Sequence, residues 1–227
     1  MGTPSAIVSA AAEAYEKARL IGENSFALSK DSSNARSKDE WRALVDDVVI
    51  EQRFEIEQIE QAYALAGDQA GSLVFEEAVS KVYDEAGEAL PIGTFVAVAE
   101  DTGNISLFDM NVLKRVVKHI KESQLVHDIA VNLSFSSMSD TAFRSELYGL
   151  LTENSDAAAH LVFSVTAYSA AKDFEVFKSF INLVHRCGSK VIMKRFEARF
   201  VSLELNPACS LEIPSMDASG RKDAPFS

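Results

Sequence analysis

Lys190-Val191-Ile192-Met193-Lys194-Arg195-Phe196-Glu197 joins a short apolar run to a charged end. Residues 190–193 read as a β-strand, because they follow a helix-period segment, Phe174 to Arg186, that Gly188 closes as a glycine stop. The charged residues therefore stand at the carboxyl end of a strand. In a β/α barrel that end faces the functional site, so the side chains placed there decide what chemistry the fold can support.

Working outward, Asp128-Ile129-Ala130-Val131-Asn132-Leu133-Ser134 is a second buried-type strand with a polar end, followed by an amphipathic helix from Asp140 to Leu151. The spacing upstream predicts a helix over Trp41 to Glu51, strands over Phe54 to Ala64 and Ser72 to Tyr83, and helices around Gly93 to Glu100 and Asp109 to Ser123. Strands at Ile129 to Ser134, Leu161 to Thr166 and Val191 to Met193 complete the pattern. Such alternation predicts an α/β fold with a parallel sheet and crossover helices. No tandem repeat is visible.

Before this body, Ser9 to Leu20 reads as an Ala-rich helix ending at Gly22, and Asn24 to Leu28 as a short strand. The Ser/Asp/Asn-rich stretch from Ser29 to Lys38 lacks periodicity and reads as a linker. After Phe200 the pattern decays, and residues 204–227 read as a disordered polar tail.

The 227 residues are 47% hydrophobic and 25% charged, which is the composition of a globular chain and not of a disordered one. A formal charge of -12 argues against general binding to nucleic acid or to an acidic membrane surface, while leaving room for a local basic pocket. Cys187 and Cys209 lack metal-ligand or redox spacing, so reduced cysteines in a cytoplasmic compartment are expected. No stretch approaches membrane-spanning length and the start lacks a signal-peptide pattern, although a longer parent protein could supply an anchor.

Glu77-Ala78-Val79-Ser80-Lys81, then Leu90-Pro91-Ile92-Gly93-Thr94-Phe95 and Ala99-Glu100-Asp101-Thr102-Gly103, resemble the signature of EAL domains. The likeness continues through Val131-Asn132-Leu133-Ser134 and Val165-Thr166, covering roughly Glu40 to Phe200 in the family's order. Ala18-Arg19-Leu20-Ile21-Gly22-Glu23-Asn24 resembles the closing helix of a GGDEF domain, which often precedes an EAL domain in cyclic di-GMP signalling proteins. The expected organisation is a GGDEF-like tail over 1–28, a linker over 29–38, an EAL-like body over 39–203 and a tail over 204–227.

The resemblance implies a modified (β/α) barrel that hydrolyses cyclic di-GMP with two divalent cations held by carboxylates and one asparagine. Paired metals must polarise the phosphoryl group and lower the pKa of the attacking water, and hard cations need several oxygen ligands. Glu77 matches the signature glutamate and Asn132 the metal-binding asparagine. Where the family has Thr-Glu this chain has Thr166-Ala167, and where it has Asp-Asp-Phe-Gly this chain has Lys194-Arg195-Phe196-Glu197. A methyl group and two cations thus replace three expected oxygen ligands, at Ala167, Lys194 and Arg195. Lys81 stands for the signature arginine without its bidentate fork, and Ile59-Glu60 for a Gln-Pro that would touch a nucleobase.

Strand alternation predicts that Glu77, Val79 and Lys81 turn to the barrel interior. Lys194 and Arg195 then have two readings. A fixed cation takes the place of the metals by pairing with Glu77 or gripping a phosphate; alternatively, one cation sits in a structural salt bridge and the other points to solvent. His119, His127, His160 and His185 share no spacing and read as surface or satisfied histidines, and Phe174, Phe177 and Phe180 recur at helical spacing as core.

The expected function is a catalytically inactive EAL-like regulatory domain without a metal cofactor. It would act as a cyclic di-GMP receptor, through Lys81, Asn132, Lys194 and Arg195, or as a protein-interaction module. An active metal-dependent phosphodiesterase is the alternative. A complete β/α barrel usually takes roughly 250 residues, so a barrel truncated after about its fifth strand is expected, with an open edge that invites pairing with a second copy.

Overall fold

The computed structural model describes residues 11, 12, 14, 15, 36–64, 70–123, 125 and 127–194. The helix expected at Ser9 to Leu20 lies almost wholly outside them, and so do the strand at 24–28, most of the linker and the polar tail. The described body divides into two compact units, residues 36–57 with 80–112 and residues 58–79 with 113–194.

In the first unit, helix α1 (Lys38–Glu51) starts at a capping box. The Glu40 backbone N–H donates to Ser37 Oγ at 3.3 Å and the Ser37 N–H donates to Glu40 Oε2 at 2.6 Å, which satisfies two N–H groups that the helix start leaves open. Val45, Val48 and Val49 form its buried face. Helix α2 (Ile92–Thr102) buries Phe95 and Ala99 and ends at Gly103, whose φ of 77° is the left-handed conformation that glycine adopts without steric cost. Phe108, from the start of helix α3 (Ile105–Ser123), meets Phe54 and Phe95 edge to face at 5.3 and 4.9 Å.

The strands β1 (Phe54–Tyr63), β2 (Leu73–Val82), β3 (Asp128–Asn132), β4 (Leu161–Thr166) and β5 (Lys190–Lys194) form a five-stranded sheet in sequence order. The β2–β3, β3–β4 and β4–β5 pairs are parallel. This is the expected parallel sheet with intervening helices. Buried on both sides, β3 and β4 read as nearly unbroken apolar runs, as parallel strands covered by helices do.

In the second unit, α4 (Phe135–Ser139), α5 (Thr141–Glu153) and α6 (Ser155–Ala158) follow β3, while α7 (Ala167–Lys172) and α8 (Phe174–Arg186) follow β4. The long helices fall where periodicity places them, with Asp140 as the cap of α5 instead of its first residue. The short α4, α6 and α7 were not expected. They are too short to show a period, and α4 and α7 start from side-chain caps: Ser134 Oγ accepts from the Ser137 N–H and Thr166 Oγ1 from the Ser169 N–H, each at 3.1 Å. Phe177 and Phe180 are fully buried, the latter edge to face with Phe163 at 5.5 Å. Phe174 corrects the expectation of a core triplet: as the first residue of α8 it is 43% exposed.

Candidate functional site

Residues paired in a parallel sheet share a face, and so do residues two apart on one strand. Glu77 pairs with Ala130, Asn132 with Ser164, and Thr166 with Lys194. These pairings bring Glu77, Asn132, Ser164, Thr166 and Lys194 onto one face, toward the carboxyl ends of the strands. Beneath them Ala62, Phe75, Ala130, Val162 and Ile192 form an apolar cluster. Near the amino ends Asp128 Oδ2 accepts from the Lys190 ammonium, and His160 Nδ1 stands 3.4 Å from Asp128 Oδ1.

At the carboxyl end the Lys194 ammonium contacts Glu77 Oε2, and Asn132 Nδ2 donates to Glu77 Oε1 at 2.6 Å. The Glu77 side chain is only 8% exposed, and a carboxylate so placed is tolerable because a cation and an amide meet its two oxygens. The contact also reports the shape of the sheet. The register sets Glu77 level with Ala130, Val162 and Lys190. In a flat sheet Lys194 would therefore lie ~14 Å away across three strand spacings and a further ~13 Å along the strands, beyond the reach of the two side chains, so the contact requires the sheet to curl toward this face.

The remaining expected site residues are distributed as follows. Ala167 is fully buried and is the first residue of α7, beyond the end of β4. Thr166, just before it, spends its hydroxyl on capping that helix and on Ser169 Oγ at 2.9 Å. Lys81 corrects the alternation argument: it is half exposed and donates to Glu57 Oε1 at 2.6 Å, a hydrogen bond that holds its ammonium above the ordinary lysine range. Ile59 is 58% exposed. Arg195 lies outside the described residues.

Sequence reasoning missed Ser164. It is 3% exposed, its Oγ has no hydrogen-bond partner among the described residues, and it stands opposite Asn132. The signal was a single polar residue inside the apolar run Leu161-Val162-Phe163-Ser164-Val165.

These side chains do not compose a donor set for a hard divalent cation. Such a cation requires several oxygen ligands, and here one carboxylate and one amide converge while an ammonium already occupies the carboxylate. Among the described residues no group of three or more His, Cys, Asp and Glu side chains is placed to hold a metal. No described helix is long and apolar enough to cross a membrane.

The EAL domain family model matches residues 50–211, and the chain belongs to that family. No curated protein sequence matches it. Among solved structures, the S helix-GGDEF-EAL portion of Vibrio cholerae LapD bound to c-di-GMP superposes with a TM-score of 0.73 at 19% identity. That match covers 89% of this chain and 49% of the LapD chain. The FimX EAL domain from Pseudomonas aeruginosa bound to c-di-GMP gives 0.60 at 18% identity, over 74% of this chain and 64% of that one. The Xanthomonas citri FimX EAL domain in complex with c-diGMP gives 0.58 at 14% identity, over 69% and 60%. The chain thus spans about half the length of the LapD structure, and the likeness establishes an α/β fold of the EAL type.

Proposed function

We propose that this chain is a degenerate, non-hydrolytic EAL domain that serves as a cyclic di-GMP receptor in a cytoplasmic signalling protein. The observation that carries the reading is the Lys194 ammonium seated on the Glu77 carboxylate. The resemblance implies an aspartate at position 194 as a metal ligand, and a lysine there supplies a tethered positive charge in its place. A fixed ammonium can attract a phosphodiester, but it cannot generate a metal-bound hydroxide. Ala167 and Arg195, at two other positions where the resemblance implies oxygen ligands, point the same way.

The proposal includes the organisation read from the sequence: a GGDEF-like tail over 1–28, a linker over 29–38, the EAL-like body over 39–203 and a polar tail over 204–227. Support for the order comes from the LapD structure, which carries GGDEF before EAL. Support for the ligand comes from c-di-GMP in the LapD and FimX structures. A protein-interaction role is the second reading. It is favoured by Ile59-Glu60 in place of Gln-Pro and by the engagement of Lys81 with Glu57.

Calorimetric titration of the folded chain with cyclic di-GMP, together with an assay of its turnover in magnesium and in manganese, tests the proposal. Micromolar binding without turnover supports the receptor. Absence of binding at high ligand concentration favours the interaction module, and metal-dependent turnover by pure protein overturns both.

A further inference from the structure

Resting on that receptor reading, we infer that Glu77 is a built-in competitor of the ligand: its carboxylate holds the donors that an anionic phosphodiester would need. Lys194 contacts one Glu77 oxygen and Asn132 donates to the other, so both the ammonium and the amide are engaged. The other lysines of β2 and β5 offer no substitute, since Lys81 is paired with Glu57 and Lys190 with Asp128. A phosphodiester entering at the carboxyl end meets a buried negative charge with its partners already taken, and like charges brought together at a desolvated site repel strongly.

Binding therefore requires Lys194 to exchange Glu77 for a phosphate oxygen. Lys194 is the better placed to do so, because its side chain is 28% exposed whereas that of Glu77 is 8% exposed. The lysine is the more accessible member of the pair and the glutamate the more buried one. Ser164 provides a further polar contact on the same face: a buried hydroxyl without a partner among the described residues, opposite Asn132 and available to an oxygen or a water that arrives with the ligand. Glu77, which matches the signature glutamate of the family, then acts here to weaken anion binding.

The test is calorimetry with cyclic di-GMP on the full chain as wild type, Glu77→Gln, Glu77→Asp and Lys194→Gln, with circular dichroism melts confirming that each is folded. Removing the charge in Glu77→Gln is expected to tighten binding by at least about tenfold. Glu77→Asp, which keeps the charge but shortens its reach to Lys194, covers the case in which Glu77→Gln does not fold, and should bind more tightly than wild type. Lys194→Gln should lose binding. Wild-type binding that Glu77→Gln, or Glu77→Asp if that variant alone folds, leaves equal or weaker overturns the competitor role and leaves the receptor standing. If neither folded wild type nor a folded Glu77 variant binds, the receptor reading fails and the competitor role fails with it.

Discussion

Lys190 and Lys194 lie four residues apart on the same face of β5, and each closes an ion pair with a carboxylate from another strand. Lys190 meets Asp128 near the amino ends of the strands, and Lys194 meets Glu77 near the carboxyl ends. Between them Ile192 belongs to the apolar cluster. One short strand thus carries a charged, an apolar and a charged layer of the curled sheet.

The unequal exposure of the Lys194 pair sets the cost of breaking it. Lys194→Met removes this cation from the nearly buried Glu77 carboxylate and is expected to destabilise the chain by about 2–3 kcal/mol, below the full cost of breaking a wholly buried pair. Adding Glu77→Leu should recover most of that loss. Urea denaturation of the single and double variants provides the cycle, and a Lys194→Met midpoint equal to wild type would count against the pair.

On α8, burial separates two phenylalanines of identical chemistry. Phe180 is fully buried against Phe163, and Phe180→Ala is expected to cost about 3–5 kcal/mol. Phe174→Ala, at an exposed first-turn position, should stay within about 0.5 kcal/mol of wild type. A comparable loss at both positions in urea melts would place Phe174 in a packed interface.

The start of α8 depends on a side-chain cap. Asp173 Oδ1 accepts from the Glu175 and Val176 N–H groups at 3.1 and 3.0 Å. Asp173→Ala should lower stability by about 1 kcal/mol and Asp173→Asn by less, since asparagine caps comparably. Thermal melts of the two variants distinguish a cap from a mere surface charge.

Partial burial pushes the His185 imidazole below its ordinary pKa of 6.5, because the folded chain disfavours the charged ring. The unfolded chain then binds the proton more readily. The stability that His185 contributes is fully present above pH 6.5 and is lost as the pH falls through the lowered folded value. Unfolding free energies at pH 7.5 and 5.5 should differ less in His185→Gln than in wild type, and an unchanged difference would contradict the burial effect.

The element order was legible because each long element carries its own period: Phe177, Phe180, Ile181 and Val184 mark one face of α8, and Leu161 to Val165 of β4 is a buried run, apolar apart from Ser164. The pairing of Glu77 with Lys194 was also accessible, as one of two readings, since a buried carboxylate requires a partner. The exposure of Lys81 was not. Alternation fixes which side of a strand a residue takes, but burial also depends on how far the covering layer extends, and at Lys81 the side chain is half exposed. Ser164 escaped for a related reason: a hydroxyl inside an apolar run carries no periodic signal, and its importance arises from the register that sets it opposite Asn132.

The Glu77–Lys194 contact joins residues 117 positions apart, across two intervening strands. Closing so long a loop is entropically costly until the strands between are in place, so this contact is expected to form late in folding. Substitution at Lys194 should then mainly speed unfolding and leave the refolding rate nearly unchanged. The pair that closes the curled sheet would in that case act as its kinetic lock, setting how long the native state lasts more than how quickly it forms.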